Sequence, residues 1–269
     1  MSAAGRIDAV LLDMDGVLYH GERALPDAAS FMRRIAFLPH AFITNNPILP
    51  PAAVAEKLAR LGFERPDPAQ IITSAQATAL HLAEQQPGFR YFAVGAAGLH
   101  QALAEVGTAD QQAADFVVVG EGAGLDYESL TTGINLILKQ GARLIGTNPD
   151  TTVDATIDGC HRILPGGGAL LAPFAIATGV EPLIIGKPQP LLFEIALQRL
   201  GIETEHCLMV GDRPDTDIAG AARLGMRTAL VRTGRFAPGK PWPEGLPRAD
   251  WDCDNLEQLS DALTLLRSG

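Results

Sequence analysis

Short, nearly continuous runs of Val, Ile and Leu recur along the chain. They occupy residues 7–13 (IDAVLLD), 40–45 (HAFITN), 90–95 (RYFAVG), 115–120 (DFVVVG), 142–147 (ARLIGT), 182–186 (PLIIG), 207–212 (CLMVGD) and 227–232 (RTALVR). Unbroken apolar runs mark strands that are covered on both faces. Between them lie amphipathic stretches at helical spacing, among them 26–37, 51–62, 74–85, 99–107, 127–141, 168–179, 189–201 and 217–225. Several close on a glycine, at Gly62, Gly141, Gly201 and Gly225, where a helix favours a left-handed terminal residue. Strand and helix in alternation predict an α/β fold built on a parallel sheet with helices on both faces. Residues 232–255 are rich in Pro and Gly and lack periodicity, so they are expected to form a surface loop before a last helix at 256–266.

Length and composition narrow this picture. The chain has 269 residues, 47% of them hydrophobic, enough for one large domain or a core with a smaller lobe. The formal net charge of −10 argues against a nucleic-acid or anionic-membrane partner, since both select basic surfaces. The cysteines Cys160, Cys207 and Cys253 are far apart and form no metal-like cluster, which points to incidental thiols. No signal-peptide pattern opens the chain, because Asp8 and Asp13 interrupt its first apolar run. The longest apolar stretch, 169–185, is broken by Pro173, Gly179, Glu181 and Pro182, so no membrane span is expected and the cytoplasm is the expected location.

The chemistry gathers where apolar runs end. The run 7–13 leads into Asp13 and Asp15, followed by Gly16. The run 40–45 ends in Thr44-Asn45-Asn46, the run 182–186 in Lys187, and the run 207–212 in Asp212, with Asp215 and Asp217 close behind. Ligands of open parallel sheets bind beyond the carboxyl ends of strands, and all these groups are expected at that end of one sheet. Clustered carboxylates repel unless a cation joins them. Asp13, Asp15 and Asp212 are hard oxygen ligands without His or Cys, a set that favours Mg2+ over zinc. A lysine and a Thr/Asn pair suit the oxygens of a phosphoryl group. One Asp can attack phosphorus while a second, two residues on, protonates the leaving oxygen and then activates water. Blander roles compete at each position. Asp13-x-Asp15-Gly16 also fits a turn, Thr44-Asn45-Asn46 a helix start, and Lys187 a solvated surface residue. Asp215 reads as a capping or solvated group, Arg213 has no assigned role, and His161 lies in a loop that could meet substrate. The stretch 120–124 (GEGAG) suggests a dinucleotide fingerprint, but its third glycine comes too early for GxGxxG and a loop is the simpler reading.

In these motifs the chain resembles the haloacid dehalogenase superfamily of phosphatases. DMDGVLYHG, FITNN, GKPQP and GDRPDTDI resemble its four motifs in order and spacing. TNPD (147–150) and PGGGALL (165–171) make it similar to the NagD-like or 4-nitrophenylphosphatase branch. The resemblance implies a Rossmann-like catalytic core, residues 1–76 plus 182–269, and an inserted α/β cap of the C2 type, residues 77–181. It makes Asp13 the nucleophile and Asp15 the general acid/base. Thr44, Asn45, Asn46 and Lys187 would hold the phosphoryl group, and Lys187 would also neutralise the nucleophile. Mg2+ would sit on Asp13, the Asp15 carbonyl and Asp212, while Asp217 would steady Lys187 or a metal-bound water. The implied reaction is Mg2+-dependent hydrolysis of a small phosphomonoester, a sugar phosphate or nucleoside monophosphate, through an aspartyl-phosphate. The implied partner is a small phosphorylated metabolite, and the branch allows a homodimer. The alternatives are a catalytically silent phospho-ligand-binding or regulatory protein on the same fold and, more remotely, a nicotinamide-dependent oxidoreductase. Pro47 stands where the branch usually has Ser or Thr, and the stretch after TNPD departs from the pyridoxal-phosphate-specific and nucleotide-specific relatives.

Overall fold

The computed structural model describes residues 6–157 and 159–265. The chain divides into two compact units. The first contains the described residues up to Ile43, then Ala55–Ile72, then those from Phe193 onward; the second contains Thr44–Val54 and Thr73–Leu192.

The first unit is built around a six-stranded sheet. Its order is Trp251–Cys253, Arg227–Val231, Cys207–Gly211, Ala9–Leu12, His40–Thr44 and Ile71–Thr73. Ala9–Leu12 runs parallel to both its neighbours, with Leu11 opposite Met209 on one side and Ala41 on the other. All four of its residues are buried, as its unbroken apolar run requires. Helix Ala28–Ile35 buries Ala28, Phe31 and Ile35, one stripe at helical spacing. Arg33 and Arg34 lie in its last turn, where the helix dipole favours cations, and Arg34 Nη1 donates to Ser260 Oγ (2.9 Å) in helix Leu256–Leu265.

The second unit holds a five-stranded sheet with the order Leu183–Ile184, Arg143–Gly146, Phe116–Val119, Arg90–Val94 and Thr108–Ala109. Every neighbouring pair is parallel. Val117, Val119 and Leu144 of the sheet pack with Leu136 and Phe174 from two helices. One of these, Tyr127–Gln140, starts at Asp126, which accepts from Ser129 N (2.7 Å), and stops at Gly141 in the left-handed region (φ 77°). Gly133 lets Phe174 of helix Gly167–Thr178 lie directly against that helix.

Three expectations are corrected. The apolar run 182–186 does not join the sheet that carries Asp13 and Asp212; its strand Leu183–Ile184 pairs with Arg143–Gly146 in the other sheet. Apolar runs identify strands but not their partners. The stretch 232–255 is not simply a surface loop. Its residues Trp251–Cys253 form the outermost strand beside Arg227–Val231, and Phe236 is buried against Ile218 and Leu230, with Trp242 packed on them. A short outer strand shows no periodicity; Arg232 holds it by a two-point pair with Asp252 (2.6 and 2.8 Å). The stretch after TNPD is an antiparallel hairpin, Thr152–Ile157 with Cys160–Pro165. There His161 Nε2 lies 2.9 Å from Asp154 Oδ1. Among the described residues no helix is long and apolar enough to cross a membrane.

Candidate active site

In the first unit, two neighbouring strands end in carboxylates. Asp13 follows Ala9–Leu12 directly and its N–H still donates to Val210 O (2.9 Å), so the ladder fixes where its side chain starts. Asp212 follows Cys207–Gly211, and its Oδ2 accepts from Arg235 N (3.0 Å). Asp217 comes from a different device, a wide π-helical turn, Pro214–Ile218, in which Asp217 N and Ile218 N both donate to Arg213 O (3.1 and 3.2 Å). Such a turn re-aims a side chain at a helix start and recurs at functional sites. Asp217 Oδ2 also accepts from Arg213 N (3.1 Å). Gly211 makes the approach sterically feasible, because a Cβ there would overlap the Asp217 carboxylate. Gly16 has φ +83° and its missing Cβ leaves room for Asp212 Oδ2, while Thr233 Oγ1 donates to Gly16 O (2.6 Å).

Asp13, Asp212 and Asp217 thus bring one carboxylate oxygen each to within 4.8 Å of one another. Like charges at that spacing repel by about 3 kcal/mol per pair at an effective dielectric of about 20, a cost that a cation removes. The donors are all hard oxygens, so the set fits Mg2+. Asp217, expected to steady Lys187 or a metal-bound water, has an oxygen within the same 4.8 Å as the other two. Asp15 is not in this trio. Its carboxylate is exposed and lies 3.7 Å from His20 Nδ1. The ring's other nitrogen, Nε2, donates to Thr233 O. The Asp15 carboxylate raises the His20 pKa above its ordinary value, with burial opposing and the Thr233 carbonyl assisting. His20 carried no sequence signal beyond lying inside the first motif. Arg213 and Asp215 pair with each other at two points (3.2 and 2.7 Å).

In the second unit, Asn45 and Lys187 meet across a long stretch of chain. Asn45 Nδ2 donates to Lys187 O (3.0 Å), and Lys187 N donates to Asn45 Oδ1 (2.7 Å). Asn45 Nδ2 also donates to Asp150 Oδ2 (3.1 Å), so the amide expected to meet phosphoryl oxygens is engaged by protein groups. Lys187 is buried, and the peptide joining it to Pro188 is cis. Thr44 Oγ1 accepts from Asn46 N (3.1 Å), and Asn46 Oδ1 accepts from Ile48 N (2.8 Å). Two buried residues that sequence reasoning did not assign complete this network. Asn148 Nδ2 donates to Asn45 O (2.8 Å) and to Glu121 Oε1 (3.0 Å). Their signal was present in TNPD and GEGAG, but nothing in the sequence tied the two motifs together.

Comparison with known proteins identifies the family. A family model described as Haloacid dehalogenase-like hydrolase matches residues 10–109, the part containing Asp13, Asp15 and Thr44-Asn45-Asn46. A second, described as HAD-hyrolase-like, matches residues 184–259, which contain Lys187, Asp212 and Asp217. The chain is 38% identical over 228 residues to the 5'-nucleotidase YutF of Bacillus subtilis (strain 168), covering 83% of this chain and 86% of that one. It is 36% identical over 230 residues to the acid sugar phosphatase of Staphylococcus aureus (strain USA300), covering 84% and 86%. Its fold superposes on NagD from E. coli K-12 with a TM-score of 0.81 at 30% identity, covering 94% of this chain and 98% of that one. Identity at this level over most of the chain, with both groups of motif residues inside the matched segments, makes the protein a NagD-like member of the haloacid dehalogenase-like hydrolases.

Proposed function

We propose that the chain hydrolyses a small phosphomonoester, dependent on Mg2+ and by way of an aspartyl-phosphate on Asp13. The observation that carries the proposal is the convergence of Asp13, Asp212 and Asp217 at the ends of adjoining elements. In this reading a carboxylate oxygen of Asp13 attacks phosphorus, and the bond to the ester oxygen breaks. Asp15 donates its proton to the departing oxygen. Asp15 then takes a proton from water as that water attacks the aspartyl-phosphate, which releases inorganic phosphate and restores Asp13. Lys187 offsets the charge on Asp13 and, with Thr44 and Asn46, holds the phosphoryl oxygens, while the Asn45 amide stays on Lys187 and Asp150. Asp13, the Asp15 carbonyl and Asp212 would hold Mg2+, with Asp217 beside them. Bound there, the ion supplies positive charge that stabilises the transferring phosphoryl group.

Residues 77–181, lying between the second and third motifs, are proposed to serve as the substrate-selecting cap. The substrate class is a sugar phosphate or nucleoside monophosphate, in keeping with the names of the two curated relatives. Free cysteines, two of them buried, suit a reducing compartment, and the cytoplasm is the proposed location. The reading is tested by following phosphate release from 4-nitrophenyl phosphate and a panel of sugar phosphates and nucleoside monophosphates. Release is expected with Mg2+, lost in EDTA and restored by adding Mg2+ back. Release that persists in EDTA would refute the metal dependence.

A further inference from the structure

We propose that Asn148, held by Glu121, is a positioning residue for Lys187 and acts through Asn45. The proposal rests on the phosphatase reading above, in which Lys187 meets the phosphoryl group. Lys187 is a compact charge on a flexible four-carbon stem, so where its main chain sits decides where the charge can reach. Asn45 fixes that main chain from both sides, accepting from Lys187 N (2.7 Å) and donating to Lys187 O (3.0 Å). Asn45 is fixed in turn. Asn148 Nδ2 donates to Asn45 O (2.8 Å), and Ser74 Oγ donates to the same oxygen (2.6 Å).

Asn148 is completely buried and each side of its amide has a partner. Nδ2 serves Asn45 O and Glu121 Oε1 (3.0 Å), and Oδ1 accepts from Asp150 N (3.0 Å). Glu121 is also buried, at 1% exposure, and a buried carboxyl is costly unless hydrogen-bonded. These residues come from neighbouring parallel strands of one sheet. Glu121 lies just past Phe116–Val119, Asn148 just past Arg143–Gly146, and Lys187 just past Leu183–Ile184. The approach is close enough to require glycine. A Cβ at Gly186 would lie 2.6 Å from Asn45 Oδ1, and one at Gly167 would lie 2.8 Å from Asn148 Oδ1. Glu121 and Asn148 stand behind Asn45 in this chain of contacts. Their hydrogen bonds run toward the residue that sets the lysine.

The test uses Asn148→Leu, which keeps the number and branching of side-chain heavy atoms and removes the amide's N–H donors and its acceptor oxygen, and Asn148→Ser in case the first variant does not fold. A misplacement of order 1 Å at a reacting centre costs on the order of 10²-fold, so kcat on 4-nitrophenyl phosphate with Mg2+ is expected to fall by about that factor. In a Lys187→Arg background the same change is expected to cost about 3-fold or less, because both substitutions act on one group. Hydrogen exchange at the Lys187 amide is expected to accelerate while Phe116–Val119 stays protected. A wild-type kcat in the Asn148 variants, an undiminished loss in the Lys187→Arg background, or unchanged exchange at Lys187 would each overturn the proposal. A wild-type protein that releases no phosphate would instead overturn the phosphatase reading, and the exchange measurement would still decide whether Asn148 positions Lys187.

Discussion

A single methyl group at position 211 would occupy the space now taken by the Asp217 carboxylate. Residue choice at this site is therefore set as much by the absence of side chains as by the charged ones. Gly211→Ala should push Asp217 away from Asp13 and Asp212 while leaving the strand in place. Mg2+ affinity, read by titrating activity with the metal, is expected to weaken roughly 10- to 100-fold, the usual cost of disturbing groups around a metal. Unchanged affinity would show that Asp217 takes no part in holding the ion. At this scale the sequence was legible where charge interrupts an apolar run, which singles out Asp13, Asp15, Asp212 and Lys187. It was illegible where a residue matters only through a distant partner. Glu121, Asn148 and His20 are ordinary polar residues until the fold brings Asn45, Asp15 and Thr233 to them.

Elements were easier to read than their arrangement. Strands such as Cys207–Gly211 and Phe116–Val119 are buried throughout and announce themselves as unbroken apolar runs. Helix Ser74–Gln85 coincides with its predicted bounds. The short strand Leu183–Ile184 belongs to a different sheet from the one expected, and Trp251–Cys253 was hidden in a Pro- and Gly-rich stretch. Pairing is decided by partners far away in the chain, and a few residues carry no period to reveal it. The packing of Tyr127–Gln140 on Gly167–Thr178 is likewise set by one close approach. Phe174 is fully buried against Gly133 and the sheet residue Val117. Phe174→Ala should destabilise the second unit by about 3–5 kcal/mol, read by denaturant unfolding with a probe in that unit. A loss under about 1 kcal/mol would mean that the neighbours close the cavity.

For the molecule as a whole, an acidic chain is expected to bind an anion only where cations are concentrated locally. The net charge of −10 thus makes the buried Lys187 and the carboxylate trio the decisive features of the reading. Asp13, Asp15, Asp212 and Asp217 lie in the first unit, and Thr44, Asn45, Asn46 and Lys187 in the second. Motif order along the chain is enough to recognise the family, and membership directs attention to one residue above the rest. The most direct measurement is phosphate release by wild type and by Asp13→Asn, side by side in Mg2+, on the same panel of small phosphomonoesters. The wild type is expected to turn over and the variant to be inactive within detection, since an amide cannot take the place of the attacking carboxylate. Substantial turnover by the variant would contradict Asp13 as the nucleophile, and with it the aspartyl-phosphate route.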